Sequence, residues 1–199
     1  VMRVEATDRD SGTNAELTYS IPQGVEKNKF SINEKSGIII TNATLDHEGK
    51  KIYELIVYAR EDAYPFSVDK AVVSIEVLDK NDNFPIFTPA SVVINVIENH
   101  HPSSIHTMIV KDEDSGVNKQ NEFSIIQGNR KGHFAIGKNT GVLSSTIPLD
   151  RENISTYELV VQAKNIMPPY YKALANVTVL VDDEDDNKPV FSNRNGSYI

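Results

Sequence analysis

Cysteine and tryptophan are both absent from the 199 residues. Without cysteine there is no disulfide framework and no thiolate metal site, yet domains of about 100 residues fold outside cells without disulfides, so the compartment stays open. Without tryptophan there is no indole on which a sugar could stack. No run of eighteen apolar residues occurs, and the opening segment Val1 to Val4 has neither the basic nor the apolar region of a leader, so the chain reads as a fragment or a mature segment. A G-x-S-x-G elbow and a glycine-rich phosphate loop are also missing, which leaves nucleophilic catalysis and nucleotide binding without support. Basic charge is in deficit, with 28 acidic against 20 basic residues and a net charge of -8. That balance argues against a nucleic-acid or anionic-membrane partner and leaves cations as the natural counter-species.

What is present is a duplication. At one ungapped offset of 104 positions, Asp8, Asp10, Ser11, Gly12 and Asn14 recur as Asp112, Asp114, Ser115, Gly116 and Asn118. Ser20, Ile21, Gln23 and Gly24 recur as Ser124, Ile125, Gln127 and Gly128, and Phe30, Ile32 and Gly37 as Phe134, Ile136 and Gly141. Leu45-Asp46-x-Glu48 matches Leu149-Asp150-x-Glu152, and Tyr53-Glu54-Leu55-x-Val57-x-Ala59 matches Tyr157-Glu158-Leu159-x-Val161-x-Ala163. Each copy closes on the same punctuation, Asp79 to Phe87 and Asp183 to Phe191. The expected boundaries are therefore a first repeat over 1–87 lacking its opening strand, a complete repeat over 88–191, and the start of a third over 192–199. Two domains also suit the length.

The apolar period is two rather than 3.6, as in Tyr53, Leu55, Val57 and Ala59 and again in Ala71, Val73, Ile75 and Val77. Clusters of Gly, Asn, Asp and Pro separate these runs, with Pro65, Pro102, Pro148, Pro168 and Pro169 at loop or edge positions. The pattern predicts an all-β fold, a sandwich of about seven short strands per copy with no helix beyond single turns. Tyr19, Phe30, Tyr53, Phe123, Phe134 and Tyr157 hold equivalent places in both copies and read as core.

The acids gather in four short motifs per copy, each where a strand gives way to a loop. Hard cations such as Ca²⁺ take six to eight oxygen ligands from carboxylates, Asn side chains and main-chain carbonyls, and loops rich in Asp and Asn suit that chemistry. Asp-Arg-Asp-Ser-Gly at 8–12, Leu-Asp-Arg-Glu at 149–152 and Asp-Lys-Asn-Asp-Asn-x-Pro at 79–85 resemble the motifs of cadherin repeats, over residues 1 to 191. One such motif is a weak signal, but all of them recurring twice, in order and at one offset, is specific.

The resemblance implies tandem Greek-key sandwiches of immunoglobulin type in a rod, with three calcium ions between successive repeats. Carried over by position, the central junction would draw on Asp46, Glu48, Asp79, the Lys80 carbonyl, Asn81, Asp82 and the Asn83 carbonyl, and on Asp112, Asp114, the Asn118 carbonyl and Asn165. The family's opening-strand Glu corresponds to Glu98 in the second copy, while its counterpart in the first copy falls before Val1. Asn165 stands where the family usually has Asp and the first copy has Glu61, so the ion nearest the second repeat is expected to be the weakest. Half-junctions would use Glu98, Asp150, Glu152, Asp183, the Glu184 carbonyl, Asp185, Asp186 and the Asn187 carbonyl at one end, and Asp8, Asp10, Asn14 and Glu61 at the other. Both should bind calcium poorly alone.

Six carboxylates belong to the central set, Asp46, Glu48, Asp79, Asp82, Asp112 and Asp114. Two unit charges about 4 Å apart repel by roughly 4 kcal/mol at an effective dielectric of 20, so the loops are expected to splay without cations. By the same resemblance the chain is a non-enzymatic adhesion segment at the cell surface, in a membrane-anchored protein whose partners are other cadherin ectodomains. Family members that swap a terminal strand dock a Trp, and its absence here points to interior repeats.

The competing readings are weaker. Asp8/Asp10 or Asp150/Glu152 could be a glycosidase pair in a hydrolytic or carbohydrate-binding sandwich module, but every acidic motif is duplicated. His100-His101 beside Glu98 could ligate zinc, although a solvated loop or strand end is the commoner setting. Four N-x-[ST] sequons begin at Asn42, Asn153, Asn176 and Asn195, against about two or three expected by chance. They suggest a glycoprotein.

Overall fold

In the computed structural model, residues 2–22, 28–63, 67–102 and 104–190 are described. Gln23, Gly24, Pro65, Ser103, Phe191, the expected third repeat over 192–199 and the Asn195 sequon lie outside them. The chain forms two units, Val1–Lys80 and Asn81–Ile199. No α-helix occurs among the described residues, and a 3-10 turn spans Gly12–Ala15.

The first unit contains β1 (Met2–Arg3), β2 (Leu17–Ser20), β3 (Phe30–Ile32), β4 (Ile38–Thr41), β5 (Ile52–Glu61) and β6 (Val68–Glu76). They form two antiparallel sheets, ordered β1-β4-β3 and β2-β5-β6. Along β5, buried Tyr53, Leu55 and Val57 alternate with exposed Ile52, Glu54 and Ile56, the two-residue period of a strand with one face on a core. That core joins Phe30 and Ile39 of one sheet to Tyr19, Tyr53, Leu55, Val57 and Val73 of the other. Each such side chain, fully buried, contributes about 1.5–3 kcal/mol.

The second unit contains β7 (Ile86–Phe87), β8 (Ser91–Ile97), β9 (His106–Thr107), β10 (Val110–Lys111), β11 (Asn121–Gln127), β12 (Phe134–Ile136), β13 (Val142–Ser145), β14 (Thr156–Asn165) and β15 (Lys172–Asp182). Its sheets run β12-β13-β9 and β11-β14-β15-β8, with β7 paired to β10. The repeat arithmetic ends the first copy at Phe87, whereas the β7–β10 pairing ties Ile86 and Phe87 into the second unit. Among the described residues every pairing is antiparallel except β8 with β15, which is parallel from Ser91↔Asn176 to Ile97↔Asp182.

The duplication is repeated in the packing. Phe30 meets Tyr53 edge to face with ring centroids 5.2 Å apart, and Phe134 meets Tyr157 likewise at 4.9 Å. Gly37 and Gly141 share a φ of +66°, and a Cβ there would lie 2.4 Å from the Val4 carbonyl oxygen or 2.8 Å from that of Met108. Only glycine fits either place. Phe123 is partly buried against its core, and the other five repeated aromatics are buried.

One expected core position differs between the copies. Ala71 is exposed on β6, whereas its counterpart Ala175 on β15 is buried. In the second unit β8 lies along β15; among the described residues, no strand flanks the corresponding side of β6.

Candidate cation sites

The acidic motifs fall at the ends of the strands, where each strand's last peptide groups release the chain into a loop. In the second unit, Asp112 and Asp114 follow β10. Asp112 Oδ1 accepts the Asp114 N–H at 3.1 Å, and Asp8 Oδ1 accepts that of Asp10 at 2.8 Å, so the same local turn forms in both copies. Such side-chain turns are what Asp followed two residues later by a second donor favours.

Around that turn the second unit assembles Asn83, Asn118 and Asn165 with Asp112 and Asp114. Asp114 is 3% exposed, and its Oδ1 accepts both the backbone N–H and the side-chain Nδ2 of Asn83, at 3.2 and 2.7 Å. Asn165, at the end of β14, is 1% exposed and donates from Nδ2 to Asp112 Oδ2 at 3.0 Å and to the Asn118 carbonyl at 3.1 Å. Asn81 is also buried, donating from Nδ2 to the carbonyls of Met167 and Pro168. Asp82 is exposed beside Asn83.

The first unit places Asp46, Glu48 and Asp79 together. Glu48 N–H donates to Asp46 Oδ1 at 3.0 Å, and Glu48 and Asp79 offer oxygens within 4.8 Å of each other and of a His47 ring nitrogen. Burial first, and then the carboxyls of Asp46 and Asp79, raise the Glu48 carboxyl above its usual range. Lys80 is exposed. At the other end of this unit, Glu61 Oε1 accepts from Ser67 Oγ at 2.5 Å. Asn14 lies in the 3-10 turn.

At the end of β8, Glu98 is fully buried. Its Oε2 accepts the Arg151 N–H at 2.8 Å and its Oε1 the Glu184 N–H at 2.9 Å, and these bonds, Arg151's first, hold its carboxyl below the usual range. Glu98, Glu152 and Asp183 bring one oxygen each within 4.8 Å of one another. Arg151 Nη1 lies 3.0 Å from Asp183 Oδ1. Asp150 Oδ1 caps the Asn153 N–H, Asp186 Oδ2 accepts from Asn99 Nδ2, and Asp185 and Asn187 are exposed.

Five buried side-chain oxygens among the described residues have no hydrogen-bond partner: Glu48 Oε1, Asn81 Oδ1, Asp114 Oδ2, Asn165 Oδ1 and Ser145 Oγ. The first four belong to the residues expected as ligands. A buried oxygen left without a partner costs about 1–3 kcal/mol, so each such atom calls for a hydrogen-bond donor or a cation. All four are hard oxygen donors, which fits Ca²⁺. His100 and His101 lie beyond β8 outside any strand, with exposed His100 3.9 Å from Glu184.

Several site residues escaped the sequence reading. Asn121 accepts from Asn165 at 3.4 Å, Ser67 engages Glu61, and the Met167 and Pro168 carbonyls hold Asn81. None carries a motif of its own. His47 could have been noticed, because it replaces a cation inside a duplicated motif.

Sheets of this topology, carrying these duplicated acidic turns, define a tandem β-sandwich repeat, and the chain belongs to the cadherin family: the Cadherin domain profile matches residues 1–78 and 92–182. Among curated proteins it is 36% identical over 191 residues to human Protocadherin-23, covering 96% of this chain and 6% of that protein. It is 38% identical over 200 residues to human Protocadherin Fat 1, covering 100% of this chain and 4% of that protein. The chain thus spans a small fraction of the length of these relatives. Among solved structures it resembles mouse Cadherin-23 EC22-24, with a TM-score of 0.76 and 31% identity over 92% of this chain and 58% of that one. It also resembles the protocadherin gammaB7 EC3-6 cis-dimer, with a TM-score of 0.77 and 30% identity over 91% and 44%.

Proposed function

We propose that this chain is a calcium-binding segment of an extracellular adhesion ectodomain, with no enzymatic role. The observation that carries the reading is the set of orphaned buried oxygens on Glu48, Asn81, Asp114 and Asn165. The ligand set is the one carried over by resemblance: Asp46, Glu48, Asp79, the Lys80 carbonyl, Asn81, Asp82 and the Asn83 carbonyl with Asp112, Asp114, the Asn118 carbonyl and Asn165. Bound calcium would supply positive charge and an oxygen coordination sphere. The chain's own part is to aim those oxygens inward, exclude amide donors from them, and anchor the turns that carry them. In the second unit the Asp112 turn and the buried Asn81 do so.

On this reading the repeats run over 1–87 and 88–191, a third begins at 192–199, and the half-sets Glu98, Asp150, Glu152 and 183–187, and Asp8, Asp10, Asn14 and Glu61, serve further junctions. The parent protein is anchored at the cell surface and meets other cadherin ectodomains; no helix among the described residues is long and apolar enough to cross a membrane. Adhesion follows from stiffness: charge neutralisation turns a row of self-repelling loops into a load-bearing rod. Affinities of roughly 10⁻⁴ to 10⁻³ M suffice for extracellular modules. No observation favours the hydrolytic alternative.

Calcium titration by calorimetry, with small-angle scattering on the same samples, tests the reading. Binding in that range with a profile that lengthens and stiffens supports it. A profile and a heat trace indifferent to millimolar calcium overturn it.

A further inference from the structure

The two copies diverge on the outer face of the sheet that holds β4. Along this strand Ile39 is 2% exposed, whereas Ile38 and Ile40 are 37% and 46% exposed, so one isoleucine enters the core and two face solvent. Asn42 comes just after β4 and keeps to the outward side. Ser31, the partner of Ile40 across the β3–β4 pairing, donates from Oγ to Asn42 Oδ1 at 3.0 Å. The Asn42 N–H continues the ladder by donating to the Lys29 carbonyl at 2.8 Å.

The second unit builds the same corner from different side chains. Thr146 holds the place of Asn42, its N–H donating to the His133 carbonyl at 2.8 Å, and Ser144 pairs with Ala135 where Ile40 pairs with Ser31. The first copy reads Asn42-Ala43-Thr44, an acceptor sequence for N-linked glycans, and the second reads Thr146-Ile147-Pro148, which is not one. The copy that exposes an isoleucine on this face is thus the copy that carries the acceptor. The copy with a serine there has none.

The Asn42 amide is oriented for the role. Its Oδ1 is engaged by Ser31, its Nδ2 donates to no group among the described residues, and Asn42, Ala43 and Thr44 are all exposed. A sugar on Nδ2 leaves Oδ1 able to keep the Ser31 bond. The other described acceptors sit differently. Asn153 lies in an acidic turn, its N–H held by Asp150 Oδ1 and its neighbour Ile154 packed on the core, and Asn176 lies within β15 between β14 and β8. A glycan is bulky and solubilising, the property an exposed apolar stripe calls for.

We propose that Asn42 is an N-glycosylation site and that its glycan covers Ile38 and Ile40 on the outer face of β4. The donor is a lipid pyrophosphate-linked oligosaccharide, used by a transferase of the secretory route. Asn42 Nδ2 forms the bond to the anomeric carbon, the bond from that carbon to the pyrophosphate oxygen breaks, the lipid pyrophosphate leaves with the electron pair, and Nδ2 gives up one proton to a base. The inference rests on the extracellular reading of the chain, since only a secreted segment meets that donor.

The test secretes the full chain from animal cells behind a cleavable leader and maps its peptides by mass spectrometry, before and after an amidase that releases N-glycans and leaves Asp at the attachment point. The expected result is a glycan on the peptide that holds Asn42, lost in Asn42→Gln and in Thr44→Ala and kept in Thr44→Ser and Ser31→Ala. Removing the glycan from the folded, unaltered chain should raise the fluorescence of a dye that binds apolar surface. In Ile40→Ser, the side chain that the second copy carries there, that rise should disappear. A secreted chain bare at Asn42, whatever Asn153 and Asn176 carry, overturns the proposal, and dye binding indifferent to the amidase overturns the covering role. Calcium titration of the same secreted chain reads the adhesion proposal separately, so a chain that binds calcium and is bare at Asn42 sinks the glycan alone.

Discussion

Asn165 Nδ2 donates to Asp112 Oδ2 at 3.0 Å, in a position where a carboxylate would repel it. The amide supplies, without metal, part of the positive potential that the Asp112 turn demands. It also turns its own oxygen, the atom able to ligate, into a buried place with no donor.

Replacing Asn165 with Asp is therefore expected to act in opposite directions with and without calcium. In chelator it removes hydrogen bonds to Asp112 and the Asn118 carbonyl and sets two carboxylates together, destabilising the second unit by about 1–3 kcal/mol. In calcium the added charge should tighten binding. Urea denaturation of both forms, with and without calcium, checks the crossover; a variant less stable in both conditions with unchanged calcium affinity would count against it.

Glu48 gives the opposite electrostatic case. Its carboxyl is raised, so folding disfavours its charged form, and stability is lost as pH rises through the folded value. Glu48→Gln should raise the urea midpoint of the calcium-free protein at neutral pH and weaken calcium binding. A lowered midpoint in chelator would contradict the assignment.

Glu98 sets an acid limit. With its carboxyl held below the ordinary value of 4.5, the stabilisation it supplies is fully present above that value and disappears as pH falls through the lower, folded one. In chelator, Glu98→Gln should lower stability at pH 7 and flatten the acid side of the second unit's stability profile. Amide exchange at Arg151 and Glu184, the two donors, reads the effect locally.

The paired aromatics test the independence of the cores. Phe134→Ala should cost about 3–5 kcal/mol in the second unit and Phe30→Ala a similar amount in the first. With NMR following each unit, each variant should lower the unfolding midpoint of its own unit and leave the other within error.

The sequence disclosed the strands because Tyr53, Leu55 and Val57 keep a strict alternation, and it disclosed the duplication because Gly37 and Gly141 must share one backbone conformation. The acidic turns were legible for a related reason: Asp8 and Asp112 bond to the backbone two residues on, a purely local interaction. What escaped was non-local. Nothing around Asn121 or Met167 announces that their oxygens will meet Asn165 and Asn81, and the exposure of Ala71 depends on a neighbour strand rather than on its own pattern. The buried state of Glu98 was equally hidden, since its two donors lie 53 and 86 residues away.

The parallel seam between β8 and β15 has a mechanical consequence. Because the two strands run the same way, the second unit is entered at the Ser91 end and left at the Asp182 end, at opposite extremes of one ladder. Tension along the chain slides these strands past each other and loads the ladder's hydrogen bonds together, instead of unzipping them one at a time. The unit resists stretching in shear, its strongest direction.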